Sequence, residues 1–253
     1  MEVAMTLDSW DKFEGYACFE SFLLVLLRFS AFHRKGLTDS EWRFVAEELR
    51  RRDKKIYLLL DRVMYDEDFP FLEDWIRQAE EVPVDGYFVS DLGLIDFLQK
   101  QGLSSKTIYY SQTQVNSFME AESFLNRGIF RVFLSGELTD FAALSDISFH
   151  GSVIRLFGYT NLFYSRRKLL NSGIRSDKDE NFRIREQNRA MKLRIFQDGY
   201  GTYIFSDKPE NRLDRIDLLE KRFDMGLIDD QFADEKTKNE MIRLFCEDTE
   251  NEA

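Results

Sequence analysis

The chain has 253 residues, 43% apolar and 15% aromatic, enough to bury the core of one large domain. Its 24 Phe and 10 Tyr, set against 13 Gly and 3 Pro, exclude a disordered, collagenous or linker-type chain. A net charge of −11, from 35 Lys plus Arg and 46 Asp plus Glu, disfavours a surface that grips nucleic acid on every side but allows a local basic patch.

The opening MEVAMTLDSW lacks the basic start of a signal peptide, and no apolar run is long enough for a bilayer, so a soluble cytoplasmic protein without a membrane partner is expected. Short apolar runs then recur at 3–6, 22–27, 55–60, 86–89, 107–110, 131–134, 153–157 and 223–228. Apolar residues follow one another without polar alternation, the pattern of strands buried on both faces. Helical patterns lie between them. Thr38-Asp-Ser-Glu41 has the form of a capping box and opens an amphipathic stretch through Trp42, Val45, Ala46 and Leu49. Phe71-Leu-Glu-Asp-Trp-Ile76 and residues 120–126 carry the same spacing, and Thr139-Asp-Phe-Ala-Ala-Leu144 opens another short helix.

The first seven strand starts are 25 residues apart on average, the rhythm of parallel βαβ units. Eight such units predict a single α/β domain over 1–253, a (β/α)8 TIM-type barrel. The competing open, doubly wound sheet lacks its glycine-rich loop after the first strand. Residues 161–222 break the rhythm: Lys192-Leu-Arg-Ile-Phe196 and Thr202-Tyr-Ile-Phe205 flank a glycine-bearing turn, a hairpin inserted between strands seven and eight. The last 25 residues hold 9 acids and 3 bases, and Met241, Ile242, Leu244 and Phe245 predict a closing helix before an acidic tail at 246–253.

Functional groups of such a barrel gather where the strands end. The candidates are Asp61, Asp91, Ser111, Gln112, Gln114, Ser135, Glu137, Tyr159 and Asn161, each of a kind that also suits the junction structurally, Ser, Asp and Asn as helix caps. Residues 166–194 carry 10 Lys or Arg against 4 Asp or Glu, a local +6 in an acidic chain, beginning with Arg166, Arg167 and Lys168. Two readings stand for this run: recognition of phosphate or carboxylate, or a solvated face paired with the protein's own acids. Cys18 and Cys246 sit at opposite ends of the chain and His33 and His150 are far apart, so neither a metal site nor a cysteine framework is expected.

The order of blocks resembles peptidase family U-32, the collagenase-like peptidases, which also contains prephenate-dependent RNA and ubiquinone-precursor hydroxylation proteins. Lys54-Lys-Ile-Tyr-Leu-Leu-Leu-Asp61 resembles the family's KKVYLTLN strand, and Val84-Asp-Gly-Tyr-Phe-Val-Ser-Asp-Leu-Gly93 its VDAIIVQDLG. Tyr110-Ser-Gln-Thr-Gln-Val-Asn116, Arg131-Val-Phe-Leu-Ser-Gly-Glu-Leu138 and Gly199-Tyr-Gly-Thr-Tyr-Ile-Phe205 are similar to ASTQTNVTN, RVVLARELS and GTYIFN. Where members read HGALCVSYSGRCLLS, this chain reads FGYTNLFYSRRKLLN from Phe157 to Asn171: the motif's histidine falls on Phe157 and its two cysteines on Asn161 and Lys168. In the hydroxylase branches those thiolates hold an iron–sulfur cluster. Neither Asn nor Lys supplies a thiolate, so the chain resembles a short, divergent bacterial form, cysteine-less in this motif, with no cluster or other cofactor expected.

The resemblance implies a binding or partner subunit in tRNA hydroxylation. Arg166, Arg167 and Lys168 would take an anionic small molecule or RNA phosphate. Gln112, Gln114, Asn161, Asp91 and Glu137 would orient it, and Tyr159 or Tyr203 would stack on a ring. The alternatives are a hydrolase in which Asp91 and Glu137 activate a water, and a scaffold for a cysteine-bearing paralogous subunit.

Overall fold

A computed structural model describes residues 1–111, 115–170, 183–185 and 192–247. In chain order the first seven strands are β1 (Glu2–Leu7), β2 (Ser21–Val25), β3 (Lys55–Leu60), β4 (Gly86–Val89), β5 (Thr107–Tyr109), β6 (Arg131–Phe133) and β7 (Ser152–Gly158). They are followed by β8 (Asn161–Ser165), β9 (Arg183–Arg185), β10 (Lys192–Gln197), β11 (Thr202–Phe205), β12 (Glu210–Asn211) and β13 (Met225–Ile228). Strands β1 to β7 pair in parallel in sequence order, and β13 pairs in parallel with both β7 and β1, closing the ring of eight. The apolar runs thus make the expected (β/α)8 barrel.

The helices are α1 (Trp42–Arg51), α2 (Phe69–Ala79), α3 (Leu92–Lys100), α4 (Phe118–Leu125), α5 (Gly136–Leu144), α6 (Ile216–Leu219) and α7 (Glu235–Ile242). Helix α1 buries Trp42, Val45, Ala46 and Leu49, and Glu41 reaches back to accept from the Thr38 amide at 2.9 Å, half of the expected capping box. Closure explains why the strands lack polar alternation. Alternate residues point inward and outward, Leu23 and Val25 into the barrel and Phe22 and Leu24 against the helices, so both sets are buried.

The inward positions are layered. At the N-terminal end Glu2 accepts from Ser21 at 2.7 Å, Tyr57 at 2.7 Å and Arg131 at 3.0 Å. Ala4, Leu23, Phe88, Phe133, Val153 and Met225 fill the middle. One step further along the same alternation come Thr6, Asp61, Tyr110, Arg155 and Asp229, a polar layer under the C-terminal mouth.

The expected hairpin, β10 with β11, is part of a larger antiparallel sheet in the order β8-β11-β10-β9. The segment directly after strand seven is strand β8, and the basic run begins where that strand ends, at Arg166. Phe196, Tyr203 and Phe205 of this sheet pack on Ala31 and Phe32 from the β2–α1 connection and seat it over the mouth. Gly36 lets that connection fold back, since a side chain there would meet the Leu27 amide nitrogen at 2.9 Å.

Cys18 and Cys246 meet as a disulfide with Cα atoms 5.2 Å apart, a correction to the expectation drawn from their separation. The bond ties the segment after α7 to the N-terminal end of the barrel, so Cys246 belongs to the body of the domain. Residues 248–253 of the acidic tail lie outside the described residues.

Candidate functional site

Under the inserted sheet lies a cleft of about 380 Å³. Phe32, Val63, Leu92, Leu162, Phe163 and Tyr164 supply its apolar walls, and Asp61, Ser90, Asp91, Ser111 and Asn161 its polar lining. Asp61 follows Tyr57 and Leu59 on the inward side of β3 and is 2% exposed. One carboxyl oxygen accepts from the Ala31 amide at 2.7 Å, while the other, Oδ2, is buried without a partner. Burial raises Asp61 above the usual carboxylate range, against the lowering fields of His33 and Arg62 and the Ala31 hydrogen bond.

Beside it His33 Nε2 lies 3.1 Å from Asp229 Oδ2. Burial lowers the imidazole, but Asp229 outweighs it through charge and hydrogen bond, and the net shift is upward. Asp229 responds in the opposite sense: burial raises it, yet His33, the Gln231 amide and Arg155 bring it down to about 2. The pair is therefore imidazolium and carboxylate over a wide pH range. Arg155 continues the polar layer to Glu210 at 2.9 Å, and Glu210 is shared with Arg212, which also holds Asp140 at 3.0 Å. Asp140, Glu210 and Arg212 line a second cleft of about 460 Å³, together with Glu137 and Thr160 among others.

The sequence candidates divide between these features. Asp91 and Asn161 line the first cleft and Glu137 the second, so the two carboxylates of the proposed water-activating pair sit in different clefts. Asp91 accepts from the Leu94 amide at 3.0 Å as the N-cap of α3 and from the Met64 amide at 3.2 Å. Tyr203 is fully buried, its ring stacked between Tyr164 at 5.2 Å and Phe196 at 4.6 Å, so neither face is open to a ligand; this corrects the stacking expectation. Tyr159 is half-buried with Arg194 4.9 Å over its ring. Arg166 bonds Asp68 at 2.6 Å and lies 3.7 Å over the Tyr65 ring, holding the inserted sheet to the β3–α2 connection. Arg167 and Lys168 are exposed beside the mouth, and Gln112 and Gln114 lie outside the described residues.

Sequence reasoning missed Arg155 and the pairing of His33 with Asp229. The signal was present for two of the three: Arg155 follows inward Val153, and Asp229 follows inward Leu227, each by two residues. His33 carries no such mark, because it sits on an irregular connection.

The family model for peptidase family U32 matches residues 22–245. The chain belongs to peptidase family U32. A solved structure described as "The Structure of the U32 Peptidase Mk0906" superposes with a TM-score of 0.51 at 14% identity, covering 63% of this chain and 70% of that one. At that identity the likeness speaks for the barrel alone. A search of the curated proteins found no match. Within this U32 chain, the positions that resemble the cluster cysteines present a buried carboxamide, Asn161, and an exposed ammonium, Lys168. The two thiols are joined to each other at the opposite end of the barrel. This donor set does not fit an iron–sulfur cluster. No helix among the described residues is long and apolar enough to cross a membrane.

Proposed function

We propose that this U32 chain is a binding or partner subunit in RNA modification, of the hydroxylation type its family resemblance implies, and that it takes RNA phosphate at the basic rim without a cluster of its own. The observation that carries the reading is the register of β9 and β10. Lys192 lies directly opposite Arg185, and Arg194 opposite Arg183. Four cationic side chains thus lie on two neighbouring strands, Arg194 over the rings of Tyr159 and Phe232, and such a cluster suits phosphate. Asp207 meets Arg183 at 3.1 Å. Arg167 and Lys168, exposed just after β8 of the same sheet, add to the basic surface. A cysteine-bearing paralogue is the natural source of redox chemistry in such a pair.

The test is fluorescence anisotropy of the purified chain with a labelled single-stranded RNA across a salt series. Affinity is expected to fall with rising salt, and Arg185→Ala with Lys192→Ala is expected to weaken binding by about tenfold and flatten the slope by roughly one unit or more. Salt-independent binding, or a double variant indistinguishable from wild type, would falsify the reading.

A further inference from the structure

The first cleft differs chemically from the basic rim around it. Among the described residues no cationic side chain lines it, and its polar lining includes two carboxyl groups, Asp61 and Asp91. Asp91 spends both oxygens on backbone amides, and Ser90 donates to the Tyr110 carbonyl. Among the lining residues, the atoms left buried and unpartnered are Asp61 Oδ2, Ser111 Oγ and the Tyr164 hydroxyl, and of these only Asp61 Oδ2 belongs to a carboxyl group. Neither cation beside Asp61 bonds its Oδ2, although His33 Nδ1 and Arg62 Nε are themselves buried without partners. His33 bonds Asp229 at 3.1 Å, and Arg62 gives Nη2 to the carbonyls of Leu27 at 3.1 Å and Ser30 at 2.9 Å. A carboxyl oxygen held away from water needs a donor, and a charged donor compensates it best. Phe32, Phe163 and Tyr164 around it offer ring surface to an apolar stem and to a cationic head.

We propose that this cleft is a binding site for an organic cation, an amidine, guanidine or amine on a flat apolar stem, whose charged nitrogen meets Asp61 Oδ2. The proposal is independent of the RNA reading, which rests on the outer sheet and is measured separately. It assigns Asp61 a ligand-binding role and leaves Asp91 a structural one. A guanidinium or ammonium from a protein side chain presents the same chemistry as a free small molecule.

The probe is benzamidine, titrated into the full chain by calorimetry, with benzyl alcohol and benzoate as neutral and anionic counterparts of similar shape. Saturable millimolar binding of benzamidine alone is expected. Asp61→Asn keeps the shape and the acceptor for the Ala31 amide, and should weaken it by about tenfold or more. Phe163→Ala, at an exposed ring on the cleft wall, should weaken it by a few-fold with an unchanged melting temperature. Equal affinity in Asp61→Asn, benzoate binding as tightly as benzamidine, or no benzamidine binding at all would overturn the proposal; the last outcome would assign Oδ2 to a bound water.

Discussion

Asp61 carries a folding penalty that an uncharged side chain would avoid. Its folded-state pKa is raised above the unfolded value, so the stability it permits is full at low pH and is lost as pH rises through the folded value. Asp61→Asn should therefore be more stable than wild type at pH 8, on the order of 1 kcal/mol, with the gap closing toward pH 4; thermal melts at the two pH values check it. His33 behaves differently. Its pairing with Asp229 is fully stabilising below the unfolded histidine value of 6.5 and fades as pH rises through the higher folded value. On the acid side, Asp229 protects the fold until pH falls from 3.8 toward about 2. His33→Gln should thus cost about 1–3 kcal/mol at pH 5.5 and much less at pH 9, read from urea unfolding at each pH. Equal losses at both would mean that charge plays no part.

At the scale of elements, the two added features are the sheet over the mouth and the bond beneath the barrel. The sheet is held by a stacked aromatic set, Tyr164, Tyr203, Phe196 and Phe205, and by Arg166 gripping Asp68 and Tyr65. Arg166 is thereby a positioning residue for the cleft's Leu162, Phe163 and Tyr164, all on β8. The disulfide spans 228 residues and ties the end of the last βα unit to the first. Cys18→Ser should lower stability by about 2–4 kcal/mol, and dithiothreitol should lower wild type to the same level while leaving the variant unchanged. A melting temperature indifferent to both would show that the bond contributes nothing. Such a bond persists in oxidising surroundings, a condition the cytoplasmic expectation did not include.

For the molecule as a whole, closure converts strand alternation into stacked interior layers, polar at both ends and apolar between. The Glu2–Arg131 pair, 3.0 Å apart, links strands β1 and β6 across the barrel floor. Arg131→Met leaves the buried Glu2 with only Lys55, 3.6 Å away, as a charge partner and should cost about 1–3 kcal/mol by chemical denaturation, whereas adding Glu2→Gln should recover a large part of the loss. Equal instability of the single and double variants would locate the cost in packing.

The barrel was legible because its cause is local and repeated. Apolar runs buried on two faces, set about one βα unit apart, leave few topologies open, and the family's blocks fall in order on β3, β4, the segment after β5, β6 and β11. The mouth was legible as a place but not as a list of roles. Asp91 and Asp61 both follow strands, yet inward Phe88 puts Asp91 on the outward, helix-capping side, while inward Leu59 puts Asp61 inside the barrel. By itself, the sequence determined the strands, their parallel order and the absence of thiols at Asn161 and Lys168. Only the tertiary structure decided that Cys18 reaches Cys246, that His33 reaches Asp229, and that one oxygen of Asp61 goes without a partner. Periodicity is a property of neighbours along the chain, whereas these contacts join residues far apart in sequence and depend on the ring closing.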